Sequence, residues 1–152
     1  MKTTALGRDD AALLTPAFAA AETAVTAGGA GDNTEVTTAA LDLRDQFGTL
    51  RFTSLTLVLA ATATLTAGQS LALKAARFQH SDDGTSWSDV KDGVTLPPIA
   101  GTGTVTGAAK LGCNLVEAKR FVRAKFTPDL SASGTDTAKV GAAFVLSGPS
   151  RI

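Results

Sequence analysis

A chain of 152 residues is long enough to bury a hydrophobic core in one domain without disulfides or metal ions. Its 14 basic and 14 acidic residues give a formal net charge of zero, which argues against a nucleic-acid partner because phosphate binding normally requires a basic excess. No segment approaches the roughly 20 apolar residues of a membrane-spanning helix, and Asp9, Asp10 and Pro16 interrupt any signal peptide. We therefore expect a soluble protein that is made in a cytoplasm and has no membrane partner.

Residues 1–33 differ in composition from the rest of the chain. Ala, Thr and Gly dominate them, and they end in the glycine-rich run Gly28-Gly29-Ala30-Gly31. This pattern predicts an N-terminal arm over 1–33, ordered on assembly and not folded independently, followed by a β-sandwich domain over 34–152. A helix over 11–24 is an alternative, although Pro16 would lie inside it.

From residue 35 onward the hydrophobic pattern has a period of two, which is typical of β-strands with one buried face. The first clear strand places Leu55, Leu57 and Leu59 on the same face. A second strand resumes at Leu71 after a turn at 67–69. Its pattern then shifts by one residue, which predicts a β-bulge near Ala76-Arg77.

The C-terminal half continues the alternation. Pro97-Pro98 argue against a central strand, and 101–107 are expected to form a loop or a weak edge strand. Strands are predicted over 110–116 and 120–126, followed by a polar loop over 128–136. In the strand over 120–126 we expect Val122, Ala124 and Phe126 to face inward, with Arg123 and Lys125 toward water. The last strand would place Val140, Ala142, Phe144 and Leu146 on one face and end at Gly148-Pro149.

About eight short strands separated by turn signals predict an all-β protein. Because the strands have one apolar and one polar face, the sheets should be antiparallel. We predict an antiparallel β-sandwich of jelly-roll type, with the order of the strands left open.

The sharpest local motif runs from His80 to Trp87. Counted from Asp82, it resembles the Asp-box turn, Asp-x-Gly-x-Ser/Thr-Trp, of sialidases and other β proteins, with Asp82, Gly84, Ser86 and Trp87 at the motif positions. In such a turn the carboxylate accepts backbone N–H groups and the glycine permits a positive φ. The motif occurs once, so we interpret it as a structural hairpin turn. A calcium site built from Asp82, Asp83 and Asp89 is a weaker alternative.

Chemistry suited to catalysis is sparse. His80 is the single histidine, and Cys113, the single cysteine, is expected to be a small buried hydrophobe. The carboxylates are scattered, and the basic residues between Lys119 and Lys125 are interpreted as the solvent side of a strand. We therefore expect no enzymatic activity, no catalytic residue, no metal and no cofactor.

Four stretches of the chain carry a family resemblance: 41–44, 78–84, 120–124 and the final strand running into 148–149. Together they resemble small structural proteins encoded near the capsid genes of tailed bacteriophages. The resemblance implies a virion component, and we favour a capsid decoration or cement protein. Such a protein would sit as a homotrimer on the exterior of the head, bound to the major capsid protein. The matching positions mark strand ends and turns, so the resemblance transfers no functional residue. We also hypothesise that the arm clasps a neighbouring subunit.

Three other functions remain open at this point. The chain could be a tail or head–tail connector protein that forms rings or tubes. It could be a carbohydrate-binding sandwich for host attachment, for which Trp87 would have to supply an aromatic platform. A small hydrolase is the least favoured, because His80 and Cys113 or a serine would have to converge.

Overall fold

The computed structural model describes residues 10–132 and 134–151. After a 3₁₀ turn at Asp10–Leu13, the described chain is built from β-strands joined by turns and loops. The strands are β1 (Thr15–Thr26), β2 (Val36–Thr37), β3 (Leu41–Asp42), β4 (Leu50–Leu65), β5 (Ser70–Ser81), β6 (Ser88–Asp89), β7 (Val94–Ala100), β8 (Gly103–Asn114), β9 (Phe121–Leu130) and β10 (Thr137–Arg151).

The strands form two antiparallel sheets. One has four strands in the order β1-β10-β4-β8. The other has six strands in which β9 and β5 are central, with β2 and β3 pairing β9 and with β6 and β7 pairing β5. No described helix is long and apolar enough to cross a membrane.

The strand order is that of a jelly roll. Because β2 and β3 share one edge of β9, and β6 and β7 share one edge of β5, the ten strands occupy eight positions. The first position then pairs with the eighth, the second with the seventh, the third with the sixth and the fourth with the fifth. Two nested Greek keys give this pattern. The predicted jelly-roll sandwich is confirmed, and the order that the sequence left open is resolved.

The core lies between the sheets and is built mainly from aliphatic side chains. Leu55, Leu57 and Leu59 of β4 are fully buried, as the alternation predicts. The inward residues predicted for β9, Val122, Ala124 and Phe126, are also fully buried. In β10 the side chains of Phe144 and Leu146 are fully buried as well. Fully burying a leucine of this kind contributes roughly 2 kcal/mol, so the core between the two sheets supplies much of the folding free energy.

A β-bulge shifts the alternation in β5. The pairing of β5 with β9 slips between Lys74 and Arg77, and Ala75 has a φ of 48°. The extra residue returns Ala76 and Phe78 to the core, with exposed fractions of 1% and 4%. The bulge predicted near Ala76-Arg77 is therefore confirmed, because only a slip of one residue keeps both halves of the strand facing inward.

The predictions for the edges and ends of strands have mixed outcomes. The prolines of β7 lie on an edge strand, as predicted. The segment from Gly103, for which a loop was the alternative, is the beginning of edge strand β8 and is continuous with the strand predicted over 110–116. By contrast, β10 does not end at Gly148-Pro149 but continues to Arg151. The described pairing of β10 with β1 stops at Leu146. At Pro149, which has no N–H group to donate, β10 is therefore paired with β4 alone.

The N-terminal segment differs from the predicted arm. Strand β1 pairs with β10 from Thr15 to Thr26 and buries Ala19 and Val25, with exposed fractions of 0% and 1%. The helix considered for 11–24 is replaced by the 3₁₀ turn and this strand. Small side chains and two register shifts in β1 hide its period of two in the sequence. Backbone pairing with β10, more than side-chain packing, holds the strand in the sheet. Residues 1–9 of the predicted arm lie outside the described residues.

The strained bulge yields a stability prediction. Replacing Ala75 by glycine should raise the free energy of unfolding by about 0.5–1 kcal/mol, because the left-handed φ costs alanine roughly 1–2 kcal/mol, which exceeds the entropic cost of glycine. The matched control, Ala72→Gly, lies where β5 pairs with β9 in regular register and should lower it by about 0.5–1 kcal/mol. Urea denaturation of the three proteins measures both effects. Equal destabilisation by the two substitutions would contradict the strain at Ala75.

Candidate functional site

The hairpin between β5 and β6 is closed by the carboxylate of Asp83. It accepts the backbone N–H groups of Thr85 and Ser86, both at 2.8 Å, and the Ser81 hydroxyl at 2.9 Å. These donors hold the pKa of Asp83 far below its ordinary value, with the N–H groups of Ser86 and Thr85 as the largest causes. Gly84 has a φ of 75°, which its missing side chain permits. These contacts close the hairpin turn.

The residue assigned to the carboxylate role from the sequence was wrong by one position. Asp82 is largely exposed, and its carboxylate pairs with the Lys119 ammonium at 2.9 Å. Ser86 contributes its backbone N–H to Asp83. The spacing Asp-x-Gly-x-Ser-Trp fits Asp82 and not Asp83, so the motif by itself did not reveal the carboxylate that closes the turn.

Trp87, the last residue of the motif, lies over the six-stranded sheet. The Arg123 guanidinium is 4.1 Å from the centre of the indole ring, a cation–π contact. Arg123 also donates to the Gln79 side chain at 3.0 Å. The Arg123 side chain thus covers one face of the half-buried indole, which leaves less of the ring free to stack against a sugar.

The three aspartates considered for calcium do not converge. Asp89 accepts a hydrogen bond from Gln79 at 2.6 Å and pairs with Arg77 at 3.3 Å, whereas Asp82 and Asp83 are engaged as described above. Within residues 10–132 and 134–151, no group of three or more acidic, histidine or cysteine residues is arranged to hold a metal.

A cleft of about 520 Å³ opens at one end of the sandwich, between β5, the connection from β6 to β7, and the end of β8. His80 and Cys113 both line it. The Nδ1 atom of His80 is shielded from solvent and has no hydrogen-bond partner among the described residues. Cys113 is 8% exposed, burial raises the pKa of its thiol, and the thiol donates to the Asn114 carbonyl at 3.4 Å. Cys113 is therefore buried, as the sequence predicts.

A smaller recess of about 280 Å³ is lined by the basic side chains of Arg44, Arg51, Lys119 and Arg120. Part of this charge is already neutralised, because Arg120 binds the carboxylates of Asp42 and Asp45. The hydrogen bonds from Arg120 are the main cause that lowers the pKa of Asp42 to about 2. The recess thus holds a surface ion-pair cluster.

The outer face of the six-stranded sheet carries an extended network of opposite charges. Glu35 accepts hydrogen bonds from Lys125 at 2.6 Å and from Arg77 at 2.7 Å, and these contacts lower its pKa. Further along the same face, Lys74 pairs with Asp129. Surface pairs of this kind contribute at most about 1 kcal/mol each, and they leave this face covered with charged groups.

The outer face of the four-stranded sheet has a different chemistry. Its outward positions are the even-numbered residues 54–64 of β4 and 104–114 of β8, and the odd-numbered residues 137–147 of β10, flanked by the outward side of β1. Among these positions of the three strands, Lys110 and Lys139 are the charged residues. The others are Thr, Ala, Val, Gly, Ser and Asn. We call this surface the uncharged face.

An exposed aromatic side chain lies on β1 at the border of the uncharged face. Phe18 is 67% exposed, and its row of cross-strand neighbours is Ala143, Val58 and Lys110. The adjacent row runs through Pro16, Val145, Thr56 and Gly112. The sequence did not reveal this surface, because its residues come from four strands that are far apart along the chain.

Comparisons with known proteins add little to this geometry. No family model matches the chain, and a search of curated proteins found no significant match. Among solved structures, the chain is similar to the D431N mutant VP2 protein of infectious bursal disease virus in derived T=1 particles. The TM-score is 0.44 with 14% identity, over 88% of this chain and 31% of that chain. The chain thus spans less than a third of VP2, and a likeness at this level supports no functional argument.

The Asp83 turn yields a prediction that separates the two adjacent aspartates. Asp83→Asn should lower the melting temperature at neutral pH, because the amide replaces a charged acceptor of two backbone N–H groups. Asp82→Asn, the matched control, should leave it close to the wild-type value. Thermal melts followed by circular dichroism measure both.

The same pair of variants predicts a pH dependence. The folded-state pKa of Asp83 is depressed, so its stabilisation is fully present above the ordinary value of 3.8 and is lost as the pH falls through the folded-state pKa. The difference in melting temperature between wild type and Asp83→Asn should therefore narrow below pH 3.8. A difference that stays constant into strong acid would show that the charge of Asp83 is not what closes the turn.

Proposed function

We propose that this chain is a virion structural protein, namely a capsid decoration or cement protein of a tailed bacteriophage. The observation that carries the proposal is the uncharged face, because a broad sheet surface with few charges is suited to the contacts between subunits that build a coat. In this role the protein binds and braces other chains and catalyses no reaction.

The fold is compatible with this role. Jelly rolls occur in viral capsid proteins, and also in lectins and cupins, so the fold alone does not select a function. The resemblance of 41–44, 78–84 and 120–124 to phage structural proteins favours the capsid among these. The hydrolase alternative has less support because the Cys113 thiol is buried. The lectin alternative has less support because Trp87 is half-buried and Arg123 covers one face of its ring.

The partner in this proposal is the major capsid protein, and the place of action is the exterior of the head. A homotrimer, as the resemblance implies, would present three copies of each contact at once. Linking binding surfaces in this way raises the avidity without strengthening any single contact, because later contacts form at high effective concentration.

The earlier hypothesis for the arm needs revision. Deleting 1–33 would remove β1, which pairs along β10 and buries Ala19 and Val25. Such a deletion should damage the sandwich itself, so it does not isolate a contact with a neighbouring subunit. The structure thus gives no support to a clasp formed by 15–26.

A tail or head–tail connector role is the nearest rival, since it needs the same kind of subunit contact in a ring or tube. The two proposals differ in the surface that the protein recognises, which is either the capsid lattice or copies of the protein stacked around an axis.

The test is to add the purified protein to tailed-phage capsids that lack decoration and to image them by electron cryo-microscopy. We expect symmetric density on the outer shell that saturates at a fixed ratio to the capsid protein. Capsids that already carry their decoration serve as the control and should gain none. Rings or tubes of the protein alone, with bare capsids, would contradict the decoration role and favour the connector.

A further inference from the structure

The uncharged face is large enough to form a stable interface. Four strands spaced about 4.8 Å apart, each with about 12 residues rising about 3.3 Å per residue, cover about 760 Å². Stable protein interfaces bury about 800 Å² on each partner. A single contact that covered this face would therefore approach the standard size, without help from the edges of the sandwich.

The two lysines that lie on the face restrict what can cover it. Lys139 is paired with Glu22 at 3.3 Å, and Lys110 lies on edge strand β8, from which a long side chain can reach solvent. A partner with a charged docking surface would lose hydration without gaining an opposite charge at the centre of the face. The covering surface must itself be mostly uncharged.

Within the described chain, the opposite outer face does not meet this requirement. It carries the ion pairs of Glu35, Arg77, Lys125 and their neighbours. The uncharged face does meet it, and the zero net charge of the whole chain removes long-range repulsion between copies. A second copy of the chain, presenting the same face, is the partner whose chemistry matches.

We propose that two copies of this chain pack face to face through the uncharged face, with Phe18 at the border of the contact. Phe18 is 67% exposed, and exposed aromatic side chains that become buried are typical anchors of interfaces. The small side chains across β10, β4 and β8 allow two sheets to approach to about 10 Å, as they do inside a sandwich. The contact has two-fold symmetry, because the same surface is used twice.

The inference deepens the proposed function, since a two-fold contact would join copies in neighbouring trimers of a capsid coat. The contact between copies does not depend on the capsid, which would be bound through a different surface of the assembled copies. The isolated protein should contain an even number of chains, forming a dimer, or a hexamer where the proposed trimer also forms.

The test compares the mass of the purified protein with that of three variants by sedimentation velocity and light scattering. Phe18→Glu and Ala143→Glu each place a carboxylate on the face and should halve the mass. The dissociation constant of the contact between the two copies should rise about tenfold or more. Val116→Glu is the matched control, because Val116 is 72% exposed and lies off the face, and it should leave the mass unchanged.

Circular dichroism melts confirm that each variant is folded, and the two test substitutions are at exposed positions, so loss of the fold is not expected. A wild-type monomer or trimer, or a mass that neither glutamate changes, would overturn the inference. So would a loss of mass in Val116→Glu equal to that in Phe18→Glu. Capsid binding is measured separately, so either proposal can fail without the other.

Discussion

The structure depends on the pairing of β10 with β1 on one side and β4 on the other. This strand joins the last part of the chain to the first and makes the four-stranded sheet continuous. Its inward residues Val140, Phe144 and Leu146 are fully buried, and Phe144 lies 6.5 Å from Phe78 of the opposite sheet. Because β1 is held mainly by backbone pairing to β10, the N-terminal segment belongs to the sandwich even though its side chains are small.

The two sheets present opposite chemistries to solvent. On the six-stranded sheet, salt bridges and the Arg123–Trp87 contact keep polar groups satisfied at the surface. On the four-stranded sheet, small and weakly polar side chains leave a surface that water solvates less favourably. The two outer faces of the sandwich are therefore suited to different contacts. This difference underlies both the assembly role and the contact between copies that we propose.

The candidate sites show how neighbouring groups engage side chains of the types that catalysis uses. His80 and Cys113 line the same cleft, where burial raises the pKa of the Cys113 thiol and the thiol donates to the Asn114 carbonyl. The aspartates of the β5–β6 hairpin are used separately, one by backbone N–H groups and the other by Lys119. In both places the local partners, and not the residue types, determine what the side chains can do.

The sequence by itself determined the antiparallel sandwich, the bulge in β5 and the inward residues of β9, because alternation with a period of two is a local property that each strand displays. It missed β1, whose alanines show little contrast between faces, and it placed the turn carboxylate at Asp82 instead of Asp83. The tertiary structure alone decided the jelly-roll order and the uncharged face. Both depend on which strands lie side by side, and pairs such as Phe18 with Ala143, or Val58 with Lys110, join residues too far apart in the chain for any local pattern to reveal.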